Sequence, residues 1–233
     1  MRQINNLKKI LNILIILLDM QNSNDLPNTL PVFPLSNFII FPETTVPLNI
    51  FEPRYIQMID DCMKSNRMLG MVQPKKTLKN DNPELFDIGC MGKITSFSET
   101  EDGRYLIVIN GVSRFKIINE INTSKLYRTC NVEFKNFSQD LKLDELKIDI
   151  SELDTIFKSL KSLLKKQGYV INWEDLKEQN LQQTINTLSM ASPFSLEEKQ
   201  TLLETPTLKS RKEKLEEILK TYLLDNFSNT TIQ

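Results

Sequence analysis

The stretch Leu30–Tyr55, LPVFPLSNFIIFPETTVPLNIFEPRY, carries five of the chain's ten prolines, and apolar residues fill most of the gaps between them. Proline cannot donate to a ladder or continue a helix interior, so this spacing cuts the stretch into short extended pieces. Leu30–Leu35 reads as one strand and Thr44–Ile50 as a second. Phe51-Glu52-Pro53 then turns the chain into a helix. Glu52 precedes a proline and is pushed out of the α region, which makes it the cap. Pro53 takes the first helical position, where its missing N–H costs nothing. Behind it, Tyr55, Met58, Ile59, Cys62 and Met63 share one face at helical spacing.

Downstream, Met68–Val72 reads as a strand, Lys75–Pro83 as a polar loop and Phe86–Phe97 as an extended segment. Gly89 and Gly92 mark a bulge or a close backbone approach. Glu101-Asp102-Gly103 supplies a hairpin turn, with Asp-Gly taking positive φ. Tyr105–Ile109 is a strand, Asn110-Gly111 begins a second tight turn, and Ser113–Ile118 continues extended. Leu126–Phe134 alternates and closes the β region. Many short strands with turns at this spacing predict a small closed or partly open barrel with one inserted helix.

The period changes from 2 to 3.6 near residue 140, after a charged connector over 136–150. Leu153, Ile156, Phe157, Leu160, Leu163 and Leu164 form a helical stripe, with Ser151 as N-cap and Gly168 as the residue past its end. Leu181, Ile185 and Leu188 form a second stripe that stops before Pro193. Ser195-Leu196-Glu197-Glu198 is a capping box opening a short helix that ends near Pro206. Thr207 caps a last helix with the stripe Leu208, Leu215, Ile218, Leu219, Tyr222 and Leu223. The fold class expected is α+β: a β-barrel subdomain over 27–136, an α-helical bundle over 137–226 and a polar tail over 227–233. Trp173 is expected to plug the join between the two parts.

Residues 1–26 stand apart as a leader. Arg2, Lys8 and Lys9 precede the apolar run Ile10–Leu18, which is too short to span a bilayer. Three readings stay open: a misassigned start with Met20 as the true first residue, an added helix docked on the body or a partner, and a secretory or anchoring segment.

Composition narrows the chemistry. A net charge of −1 and a pI near 5.8 give no electrostatic footprint for nucleic acid or an acidic membrane. The absence of histidine removes His-based triads and HExxH zinc sites. Cys62, Cys90 and Cys130 are widely spaced among apolar neighbours and read as buried reduced thiols, which fits a cytoplasmic location. Glu52, Glu84 and Asp87 are candidate acid/base carboxylates, but nothing in the sequence brings two of them together. Lys75-Lys76 and Lys165-Lys166 are too short to be nucleic-acid patches.

LPVFPL, then Phe41-Pro42, then Phe51-Glu52-Pro53-Arg54-Tyr55 together resemble the start of the Lon protease N-terminal domain. Asp87-Ile88-Gly89-Cys90-Met91-Gly92-Lys93-Ile94 resembles that family's strand pair around Gly-x-x-Gly. Asp102-Gly103-Arg104 followed by Asn110-Gly111-Val112-Ser113-Arg114-Phe115 resembles its G-x-x-R-F hairpin. Ser195–Gln200, Leu202-Leu203-Glu204 and Arg211 resemble the end of its stand-alone form, so the similarity runs over about residues 27–225. The resemblance implies a PUA-like β-barrel followed by helices, in a region that helps full-length Lon proteases select substrate polypeptides. None of the six glycines makes the G-x-x-x-x-G-K-[ST] spacing of an ATPase loop, and the resemblance does not reach a peptidase domain with its Ser–Lys dyad.

The family-motif residues are Phe51, Glu52, Pro53, Arg54, Tyr55, Gly89, Gly92, Gly111, Arg114 and Phe115. Arg54 and Tyr55 are either ligand-facing or structural; in the structural reading Tyr55 is core and Arg54 pairs locally, with Arg114 similar between its two turns. The glycines are explained by backbone conformation. The function expected is a non-catalytic polypeptide-binding module with no cofactor and no metal. Its expected partners are unfolded or exposed apolar polypeptide segments and the cell's own Lon protease. The alternatives are an RNA binder, by analogy with PUA domains, and an unrecognised hydrolase, which the missing motifs oppose.

Overall fold

The structure, a computed structural model, describes residues 26–75, 83–141, 153–166, 176 and 179–228. The leader run Ile10–Leu18, most of the Lys75–Pro83 loop, the Ser151 cap, Gly168 and Trp173 lie outside the described residues. The chain divides into two compact units, Met1–Leu143 and Asp144–Gln233. Both α and β elements are present, as expected.

The first unit contains β1 (Thr29–Pro34), β2 (Thr45–Ile50), α1 (Pro53–Met63), β3 (Met68–Val72), β4 (Ile88–Glu99), β5 (Tyr105–Ile121) and β6 (Arg128–Glu133). The strands follow the order β2-β5-β4-β3-β1-β6, and β5 also pairs with β6. The pairings β5-β4-β3-β1-β6 therefore return to β5, while β2 joins the circuit through β5 alone. All neighbours are antiparallel except β1 and β3. Leu30, Val32, Met91, Phe115 and Cys130, all essentially inaccessible, form the centre of the enclosed core.

α1 starts as its sequence dictates. Glu52 is the N-cap with extended φ −74° and ψ 131°, and Pro53 opens the helix. Tyr55, Met58, Ile59 and Cys62 are buried, while Met63 is half-buried at the edge of that face. The opposite face is tied down by phenols. Tyr105 donates to Asp60 at 2.9 Å and Tyr127 donates to Asp61 at 2.7 Å, so β5 and the approach to β6 both hold the helix.

Two expectations are overturned within β5. Asn110-Gly111 makes no turn; the strand runs unbroken from Tyr105 to Ile121. Gly111 is there for space. A Cβ on it would lie 2.1 Å from the Phe41 carbonyl oxygen. The strand passes directly under the turn at 41–44, where Gly111 N–H donates to the Thr44 carbonyl at 2.8 Å and its own carbonyl accepts from Glu43 N–H at 2.9 Å. The true hairpin turn is the earlier one, where Gly103 has φ +77°. Arg114, in consequence, does not sit between turns and does not pair locally. It is 1% exposed and pairs with Asp140, twenty-six residues on.

That pair also changes the reading of the connector. Lys135–Leu141 is a 3-10 segment kinked at Phe137, with Phe137 and Asp140 buried. It packs on β5 and belongs with the first unit, so that unit extends past residue 136.

The second unit contains α2 (Asp154–Lys166), α3 (Leu181–Ala191), α4 (Leu196–Glu204) and α5 (Leu208–Ser228). α5 packs on each of the other three. The stripe on α2 is buried at Leu153, Ile156, Leu160, Leu163 and Leu164, with Phe157 half-buried. The capping box at Ser195 and Glu198 is formed in both directions. Thr207 caps α5 through the Ser210 N–H at 3.1 Å. Arg211, 1% exposed, joins three helices: its Nε donates to the Leu202 carbonyl at 3.0 Å, and its Nη1 donates to the Asn186 side chain.

Candidate functional site

The Pro-punctuated stretch that opens the fold also builds a groove. A groove of about 620 Å³ is lined by Phe33–Phe38 at the end of β1 and in the loop after it, by Val46–Ile50 of β2, and by Phe51, Glu52, Arg54 and Tyr55. Every one of these residues lies inside Leu30–Tyr55. β2 forms one wall because, among the described residues, it has β5 on one edge and no strand on the other.

Phe51 stands at the groove with two thirds of its surface exposed. Leaving a phenylalanine in water forgoes roughly 2 kcal/mol of burial, which makes the ring beside the groove a candidate contact. Behind it, Tyr55 is buried and stacks against Phe33 with ring centroids 4.2 Å apart. Burial pushes the Tyr55 phenol above its ordinary value of 10.0, with the Arg54 guanidinium opposing that shift. Tyr55 therefore stays neutral at working pH. Arg54 pairs with Glu52 at 2.8 Å and lies over the Tyr55 ring at 4.5 Å. Among the described residues those two are the charged ones lining the groove, so its described walls carry no net charge.

The ten family-motif residues thus fall into two groups. Phe51–Tyr55 surround the groove and the start of α1. Gly89, Gly92, Gly111, Arg114 and Phe115 lie inside the first unit on β4 and β5. A Cβ on Gly89 would lie 2.6 Å from the Met71 carbonyl oxygen, and one on Gly92 would lie 2.3 Å from Ile109 Cγ2. The bulge expected around these glycines is present at Met91/Gly92. Phe115 packs with Phe134 in the core at 6.2 Å. Asp140 receives Arg114 Nε and Nη2, both at 2.8 Å, and the Arg114 backbone N–H at 2.9 Å, while the guanidinium lies 4.5 Å over the Phe137 ring. Neither the groove's β1–β2 walls nor Asp140 was marked as special by residue type. The free edge of β2 follows from strand order, which one sequence does not state.

The candidate carboxylates do not converge. Glu52 is engaged by Arg54 and Glu84 by Lys75 at 3.0 Å, and Asp87 is exposed. Among the described residues no group of three or more Cys, Asp or Glu side chains is placed to hold a metal. Cys62, Cys90 and Cys130 are free and buried, as expected, and burial pushes the Cys62 thiol up to about 12 and Cys130 to about 11. No helix among the described residues is long and apolar enough to cross a membrane.

The chain is similar to known proteins. The Lon protease of Desulfosudis oleivorans is 27% identical over 201 residues, covering 83% of this chain and 24% of that protein. The chain thus spans about a quarter of the length of the curated relatives it matches. Among solved structures, a Lon N-terminal domain protein from Xanthomonas campestris aligns with TM-score 0.59 at 22% identity, covering 81% of this chain and 97% of that one. The N-terminal domain of the Mycobacterium avium complex Lon protease aligns with TM-score 0.55 at 17% identity, covering 84% and 98%. These two likenesses establish the fold. The family profile described as the ATP-dependent protease La (LON) substrate-binding domain matches residues 29–221, from the first strand to deep in the last helix, and on that match the chain belongs to the Lon substrate-binding domain family.

Proposed function

We propose that this chain is a non-catalytic polypeptide-binding module that takes exposed apolar segments of unfolded protein into the groove between β1, β2 and the start of α1. The observation that carries this reading is the uncharged, partly apolar groove with Phe51 exposed beside it. The family supports it, since its description is that of a substrate-binding domain. The closed circuit of strands supports a PUA-like barrel in the first unit, and the packing of α5 on three helices supports a helical bundle in the second. In this reading the protein acts in the cytoplasm, and a Lon protease of the same cell is the partner to which clients pass.

A PUA-like barrel also invites an RNA-binding reading. A phosphate-reading surface needs clustered cations, and among the described residues the one cation lining the groove, Arg54, is paired with Glu52. One titration separates the two. A fluorescent, permanently unfolded polypeptide and a structured RNA are titrated with the full chain at low and high salt. The expected result is polypeptide binding that changes little with salt, is weakened by Phe51→Asp, and is accompanied by no RNA binding. Salt-sensitive RNA binding without polypeptide binding overturns the proposal, as does binding of neither.

A further inference from the structure

The ladder between β2 and β5 fixes which main-chain groups of β2 face outward. Gly111 N–H donates to the Thr44 carbonyl, and Val46, Leu48 and Ile50 follow at alternate positions opposite Ile109, Ile107 and Tyr105. In an antiparallel ladder only alternate residues bond to the partner strand. Thr45, Pro47 and Asn49 therefore direct their main-chain groups to the free edge. That edge presents the N–H and C=O of Thr45 and Asn49 and the C=O of Pro47. Proline stands where its missing N–H leaves the β5 ladder intact.

β1 repeats the device across the groove. Val132 N–H donates to the Asn28 carbonyl, so Leu30 and Val32 face β6, while Leu35 N–H turns the other way to the Val72 carbonyl. Pro34 follows on the β6 side, one step beyond the last β1–β6 pair at Val32 and Arg128. Pro34 and Pro47 both line the groove. The groove is thus a seam bordered by two strand edges, and each edge has a proline where it would otherwise present a donor. Prolines on open edges hinder a full ladder with another copy of the chain.

Resting on the polypeptide-binding reading, we infer that the client enters this seam as an extended strand and pairs through its main chain with Thr45, Pro47 and Asn49 on the free edge of β2. Main-chain pairing tolerates many client sequences, and alternate side chains are read by the groove walls. The walls carry no net charge, so the segment they complement is itself uncharged.

The test uses the full chain and a short, uncharged, extended peptide with a fluorophore. Asn49→Pro removes the outward N–H of residue 49 and no bond to β5. Asn49→Ala changes the side chain and keeps that N–H. Strand addition predicts that N49P weakens binding about tenfold, the loss of one main-chain bond, and clearly more than N49A does. N-methylating alternate residues of the peptide should abolish binding in one register and spare it in the other. Should N49P lower the melting temperature enough to cloud the comparison, the N-methylated peptides on the unaltered protein decide. Equal binding by N49P and by both N-methylated peptides overturns strand addition and leaves polypeptide binding standing. A failure of the unaltered protein to bind any polypeptide overturns both.

Discussion

Replacing Asp140 with alanine is expected to destabilise the first unit by about 3–5 kcal/mol, the range for breaking a buried ion pair from one side. Asp140 holds Arg114 through three contacts at 2.8–2.9 Å, two to the guanidinium and one to the backbone N–H. Arg114 is 1% exposed, so water cannot replace the lost carboxylate. The Phe137 ring under the guanidinium offers a weaker, non-specific attraction of roughly 1–2 kcal/mol. Domains are stable by only about 5–15 kcal/mol, so the change removes a large share of the total. For a protein of this size it corresponds to a fall in Tm of about 10 °C. Urea unfolding followed by far-UV circular dichroism measures it. The cycle of Arg114→Met, Asp140→Leu and Arg114→Met/Asp140→Leu isolates the pair, because the double replacement leaves no buried charge. The double variant should be more stable than Asp140→Ala alone, although the Arg114 backbone N–H still lacks its acceptor. A loss below about 1 kcal/mol for Asp140→Ala would mean that the pair is not held dry as described, because surface-like sites change stability by that little.

Gly111→Ala should cost about 3 kcal/mol or more, since the added Cβ meets a backbone carbonyl rather than a flexible side chain. Gly103→Ala, in open space but at φ +77°, should cost only about 1–2 kcal/mol, and thermal melts of the two variants check the ranking. The Tyr127 hydroxyl, followed by the Lys125 ammonium, holds the Asp61 carboxyl below its ordinary 3.8. A depressed folded pKa adds stability that is present above the unfolded value and is lost as pH falls through the folded one. Asp61→Asn should therefore flatten the fall in Tm below about pH 4, and an unchanged acid limb would show that the contact contributes nothing to stability.

Local events were legible in residue type and spacing alone. Proline positions set the end of β1 at Pro34 and the start of α1 at Pro53, because a missing N–H and a fixed φ act within one or two residues. The change of apolar period near residue 140 separated the strands from the helices, and Ser195 with Glu198 fixed a helix start that the structure forms in both directions. What failed were the inferences that needed a distant neighbour. Asn110-Gly111 reads locally as a turn, and only the Phe41 carbonyl lying above it shows that the glycine makes room for a crossing strand. Asp140 reads as one more charge in a polar connector, because nothing nearby in sequence reveals a buried guanidinium twenty-six residues back. The groove divides the same way. All its lining residues come from the stretch whose punctuation was legible at once. That β2 keeps one edge free was decided by strand order, which hydrogen bonds between distant segments select and no local propensity encodes.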